Sequence, residues 1–194
     1  MDGSVIWRFG VFSFFKMIKN IKQLFIITTF LSGINILCYA GELPDTGQAT
    51  GYGTGDDADY NPVATQMSYM DNSDGTVTDN LTGLMWLQDA NYYNGGASQT
   101  WEQALSGCES FSYAGYSDWR LPNMKELLSI VKYEGSAPLI STTYFLNNQI
   151  NFYWTSTTVP GNPTIAIDVN FDSGEAYGND KTDAYYVRPV RGGQ

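Results

Sequence analysis

The spacing of apolar residues changes period twice along this chain, and that change constrains the fold more than any single motif. Residues 67–87 hold short alternating segments separated by Asp74-Gly75 and by the Asn80 to Gly83 stretch, which reads as a meander with tight turns. Residues 100–111 then place Trp101, Ala104, Leu105, Cys108 and Phe111 at helical spacing, with a polar opposite face. Thr100 and Gln103 offer a capping box at its start, and Asn123 with Glu126 offers a second one before Leu127, Leu128, Ile130 and Val131. From Phe152 the alternation returns, over residues 152–157, 164–171, 175–177 and 185–191, as half-buried antiparallel strands require. Strands, two helices, then strands predict an α+β domain.

Residues 1–40 belong to none of this. Lys16, Lys19 and Lys22 precede an apolar run from Leu24 to Leu37, and Cys38-Tyr39-Ala40 suits cleavage before Gly41. A charged start followed by an apolar stretch is the pattern of a secretory signal peptide. Met17 is the expected initiator, with the first sixteen residues a forward extension. Ser32, Gly33 and Asn35 argue against an uncleaved anchor, which needs about 20 apolar residues. Leu37 before Cys38 argues against lipidation. The expected organisation is a signal peptide at 1–40, a flexible acidic and Gly-rich linker at 41–64, and one domain at 65–194.

Composition removes whole classes of function. The chain has no histidine, so Ser/His and Cys/His nucleophile pairs and His-bearing zinc sites are excluded. Beyond residue 40 there are six basic residues against nineteen acidic ones, a formal charge of −13. Such a surface repels nucleic acid and other polyanions. One cysteine remains, Cys108, so no intrachain disulfide forms and packing must hold the fold. Its place on an amphipathic segment marks it as a small buried apolar residue rather than a reactive thiol.

Paired carboxylates are the remaining acid/base option, and Asp168 with Asp172 or Asp89 with Glu102 are the candidates. Acidic residues are too widespread here for that pattern to be specific. The Asp71/Asp74/Asp79 loop fails as an EF-hand, because aligning Gly75 with the obligatory glycine puts Met70 and Leu81 at ligand positions. It reads as a solvated turn. No resident cofactor or metal is expected, calcium at the acidic 56–59 loop being the open alternative. Trp86, Trp101 and Trp119 are expected in the core. Arg120 is expected to pair with Asp118 or backbone carbonyls, and Arg188 and Arg191 to be structural or rim charges.

Five pieces in order carry a resemblance: residues 74–86 (DGTVTDNLTGLMW), Trp101 with its helix, residues 115–122 (GYSDWRLP) with Glu126, residues 153–157 (YWTST), and residues 187–192 (VRPVRG). Together they closely resemble the Lcl C-terminal domain family, over about residues 70–192. The resemblance implies a C-type-lectin-like fold, in which two helices pack on a twisted antiparallel sheet whose first and last strands pair. It also implies an exported or surface protein. The adhesin for which the family is named binds sulfated polysaccharides, but the charge of −13 departs from a polyanion binder.

The expected function is an exported, periplasmic or cell-surface, non-catalytic binding or adhesion module. Its partner would be a neutral glycan or a protein, with no nucleic acid and no membrane span after cleavage. Contact is expected through the late-strand loops, by Trp154, Tyr177 and Asn179 with Asp180 at the rim, because aromatic and amide groups suit half-wet recognition surfaces. The alternatives are a structural subunit of an envelope assembly and a carboxylate-dependent glycosidase.

Overall fold

A computed structural model describes residues 46–60 and 67–192; the expected leader and cleavage site lie outside them. The domain is α+β, with two separate antiparallel sheets where the resemblance implied one. Among the described residues no helix is long and apolar enough to cross a membrane.

The expected meander forms the first sheet. β1 (Tyr69–Asp71), β2 (Thr76–Asp79) and β3 (Met85–Leu87) pair in order, with Val77 opposite Trp86. Gly75 closes the first turn at φ 86°, and Asp74 Oδ1 accepts from the Thr76 N–H at 3.0 Å. The buried Asp79 holds the second turn, accepting from the Leu81 N–H at 2.9 Å and the Thr82 hydroxyl at 2.6 Å. These side chains supply the backbone partners that a short connection cannot provide.

Preceding that sheet is a four-residue helix, α1 (Asp57–Tyr60). Residues 46–59 are mostly exposed, as a linker should be, yet they are tied down: Glu134 accepts from the backbone of Ala49 and Thr50 and from the Thr50 hydroxyl, and Tyr133 N–H donates to Thr46 O. Both later helices start where their capping residues predict. In α2 (Trp101–Ser110) the Thr100 N–H donates to Gln103 Oε1 at 3.1 Å. In α3 (Met124–Leu128) Asn123 and Glu126 exchange side-chain to backbone bonds at 3.0 and 2.8 Å.

The second sheet is β4 (Phe152–Thr158), β5 (Ile165–Asn170) and β6 (Ala176–Asp180). Strand alternation sends its side chains into two cores. Tyr153, Val169 and Phe171 join Trp86, Leu127, Ile130 and Phe145 on one side. Trp154 and Ala166 join Leu87, Ala104, Cys108 and Trp119 on the other.

The expected last strand, 185–191, is not one strand. Pro189 offers no N–H to a ladder, and the segment divides between the sheets. Tyr186 bonds to β4 through Trp154 N–H and Phe152 O, whereas β7 (Val190–Arg191) pairs with β3. The final strand therefore pairs with the third strand rather than the first. Arg188 lies between these contacts, wholly buried, and donates to the carbonyls of Leu87, Gln88 and Leu146 and to Asn148 Oδ1. Burial pulls its guanidinium down to about 10, so it stays charged at neutral pH.

Candidate functional site

Register places Trp154, Asp168 and Tyr177 side by side on one face of the β4–β6 sheet. Asn179, two residues beyond Tyr177, shares that face, and Asp180 falls on the other. The sheet thus brings three of the four expected contact residues together, but their environments differ sharply.

Trp154 is fully buried and corrects the expectation of a ligand platform. Tyr185 covers its ring at a centroid distance of 4.8 Å, and its indole N–H donates to Gln99 O at 2.9 Å. A ring so enclosed and satisfied contributes packing, not recognition. Asp180 is occupied by the turn that follows, accepting from the Thr182 N–H at 2.9 Å and hydroxyl at 2.8 Å, which holds its carboxyl below the usual range. Asn179 is half-buried and donates to Asp168 Oδ2 at 2.8 Å. Tyr177 stays on the surface, 41% exposed, edge-on to Phe152 at 5.5 Å, with its hydroxyl on the Glu175 carboxylate.

Asp168 is the unusual group of this face. It is completely buried, its Oδ1 has no partner, and burial pushes its carboxyl up to about 6 against the opposing Asn179 hydrogen bond. Its suggested catalytic partner, Asp172, is exposed in the turn after β5, where its N–H is taken by Asn170. Asp89, the other candidate, accepts from Asn91 N–H and Asn147 Nδ2, both at 2.8 Å.

The remaining expected structural residues are placed as follows. Trp86 and Trp119 are buried, and Trp101 is half-buried with its indole N–H on Thr155 O at 2.8 Å. Cys108 is buried, and burial pushes its thiol up to about 12. Arg120 pairs with Glu126 rather than Asp118, and reaches Gly192 O at 2.8 Å. Asp118 pairs instead with Arg191, at 2.7 and 3.0 Å. In the acidic 56–59 loop, Asp56 Oδ2 accepts from the Tyr52 and Gly53 amides and from Gln48 Nε2. Among the described residues no group of three or more Cys, Asp or Glu side chains converges to hold a metal ion.

Residues 91–99 are polar and carry no apolar period, yet they form one wall of a groove. Asn94, Ser98 and Gln99 face Gln103, Ser106, Gly107 and Ser110 of α2 across a volume of about 530 Å³. Every lining side chain is an amide or a hydroxyl and none is charged, in a chain with twice as many acidic as basic residues. The Gln99 side-chain oxygen is itself buried and has no partner, where such groups are normally satisfied. Gln99 also ties the groove to the late strands, since its backbone bonds Tyr185 in both directions at 2.8 and 3.0 Å. The periodicity of α2 gave the only sequence signal, through its polar face. A groove of neutral donors and acceptors can hold a polyhydroxylated ligand by direct and water-bridged hydrogen bonds.

The family model of the Lcl C-terminal domain matches residues 75–191, more than half of the chain. No curated protein matches it.

Proposed function

We propose, on the premise that this chain belongs to the Lcl C-terminal domain family, that it is an exported, non-catalytic module that binds a neutral glycan at the periplasmic or cell surface. The supporting observation is the groove between residues 94–99 and α2, lined throughout by uncharged hydrogen-bonding residues. A neutral sugar presents hydroxyls to such a lining without the desolvation penalty of a charge. The strongly acidic balance of the chain disfavours sulfated ligands. A second reading, a protein partner docking on the late strands, is favoured by the exposed ring of Tyr177 beside Phe152.

The test is a glycan array probed with residues 41–194, followed by titration of the best hits. Ser106→Phe fills the groove from an exposed helix position, and Gln99→Leu removes one of its lining amides. Both should abolish glycan binding with unchanged thermal midpoints, while Tyr177→Ala retains it. Binding lost in Tyr177→Ala but kept in the two groove variants moves the site to the late strands. Turnover of a glycoside overturns the non-catalytic reading.

A further inference from the structure

Among the described residues β6 has β5 as its one strand neighbour, and the register between them fixes which way its backbone points. The Lys181 N–H donates to Thr164 O at 2.9 Å, and Glu175 O accepts from the Asn170 N–H at 2.9 Å. Hydrogen-bonded pairs alternate along an antiparallel ladder, so residues 175, 177, 179 and 181 turn their backbone toward β5 while Ala176, Gly178 and Asp180 turn theirs outward. Among the described residues no hydrogen bond reaches the outward groups of Ala176 or Gly178, and Ala176, Tyr177, Gly178 and Asp180 are all exposed.

Other edges of the fold are covered. Arg120 and Val190 exchange backbone bonds at 2.9 and 3.0 Å on the outer side of β7. On β4, Tyr186 O accepts from the Trp154 N–H at 2.9 Å and Pro122 O from the Ser156 N–H at 2.8 Å. An open edge is a template for another strand, which proteins block with prolines or bulges; β6 carries neither.

We propose that β6 pairs antiparallel with β6 of a second copy of this chain, about a two-fold axis at Gly178. In that register Gly178 meets the partner's Gly178 and Ala176 meets the partner's Asp180, so the outward donors and acceptors complement one another. The Asp180 carbonyl already accepts from the Asp183 N–H at 2.9 Å, and its second lone pair serves the new ladder. Charge complementarity selects the occupant and the register. Glu175 falls directly opposite the partner's Lys181, and Tyr177 opposite the partner's Asn179. Glu175 is exposed and spends one oxygen on the Tyr177 hydroxyl. Lys181 lies over the Trp101 ring, donates to the Thr158 hydroxyl at 2.9 Å and forms no salt bridge among the described residues, so its ammonium keeps donors for a carboxylate. An axis at Tyr177 would set Asp180 opposite the partner's Gly174, whose N–H goes to Asn170. An axis at Asn179 would set Glu175 opposite the partner's Asp183, a like charge. This contact goes beyond the glycan reading and does not rest on it, since the groove beside α2 uses other residues.

Sedimentation equilibrium of residues 41–194, one compact unit of the chain, should show a monomer–dimer equilibrium with Kd in the micromolar range, as a small polar contact implies. In wild type the amides of Ala176 and Gly178 should exchange more slowly as concentration passes Kd. Ala176→Pro removes an outward N–H at the first position of an edge strand, where proline is tolerated, and should raise Kd about tenfold. Glu175→Lys should also weaken the dimer, although it lowers the net negative charge, because it sets like charges opposite each other. Ser106→Phe and Gln99→Leu should dimerise like wild type, so this result and the glycan result stand apart. A monomer at every concentration up to about 1 mM, unchanged Kd in Ala176→Pro, tighter association of Glu175→Lys, or a dimer whose Ala176 and Gly178 amides keep their exchange rates overturns the proposal.

Discussion

Arg120 holds Glu126 with both terminal nitrogens, at 2.8 and 2.7 Å, while the same carboxylate accepts from the Asn123 N–H and caps α3. A third bond from the Arg120 guanidinium reaches Gly192 O, beside β7. One seven-residue stretch, 120–126, thus sets the start of a helix and ties down the chain after the last strand. Its side chains are only 17% and 15% exposed, so removing either partner leaves a poorly solvated charge.

Arg120→Ala and Glu126→Ala should each cost about 2 to 3 kcal/mol, between the values for an exposed and a fully buried pair. The double variant should lose less than the sum, because the two acts are one interaction. Urea denaturation of all four proteins checks this; strict additivity would mean the pair is uncoupled.

Trp154 and Tyr177 face the same side of the sheet but should respond in opposite ways. Trp154→Ala opens a cavity beneath Tyr185 and should cost about 3 to 5 kcal/mol. Tyr177→Ala removes an exposed ring and should change stability by less than about 1 kcal/mol. Thermal melts of the two variants decide it.

Asp168 gives the fold a specific pH signature. Its carboxyl stands near 6 in the folded protein against an ordinary 3.8, so the folded state binds the proton more tightly. The group therefore destabilises the fold at neutral pH, and that penalty is relieved as pH falls through the window from about 6 to 3.8. Asp168→Asn should be more stable than wild type by about 1 to 2 kcal/mol at neutral pH. The advantage should shrink as pH falls from about 6 and vanish by about pH 3, where the wild-type carboxyl is neutral in both states. Carboxylates held low by partners, such as Asp118 beside Arg191, lose stability on acidification in both proteins, so they cancel in the comparison. A difference that grows on acidification would contradict the assignment.

Cys108 should resist thiol reagents in the native protein at pH 8, since the thiol is buried and held near 12. In denaturant residues 41–194, whose one cysteine is Cys108, should take up one equivalent at once. Rapid native labelling would place the thiol at the surface.

Much of the fold is written locally. Thr100 with Gln103 and Asn123 with Glu126 mark the helix starts because capping is a contact between residues three apart. The Asp74-Gly75 turn and the alternation of residues 152–157 likewise depend on near neighbours and on a period of two. Trp154 could not be assigned this way. Alternation tells which residues share a face, but whether that face is wet depends on Tyr185 and Gln99, which are distant in sequence. The groove was hidden for the same reason, since one wall is a loop with no period.

The sequence by itself determined the α+β order, the helix caps, the turns, the buried cysteine and the exclusion of histidine chemistry, all of which follow from composition or from residues within one turn of each other. Tertiary structure alone decided that the last segment divides at Pro189 between two sheets, that Arg188 sits buried among backbone carbonyls, and that the ring of Trp154, expected at a recognition surface, is enclosed in the core. Burial and charge pairing are set by which distant groups meet, and no local pattern carries that.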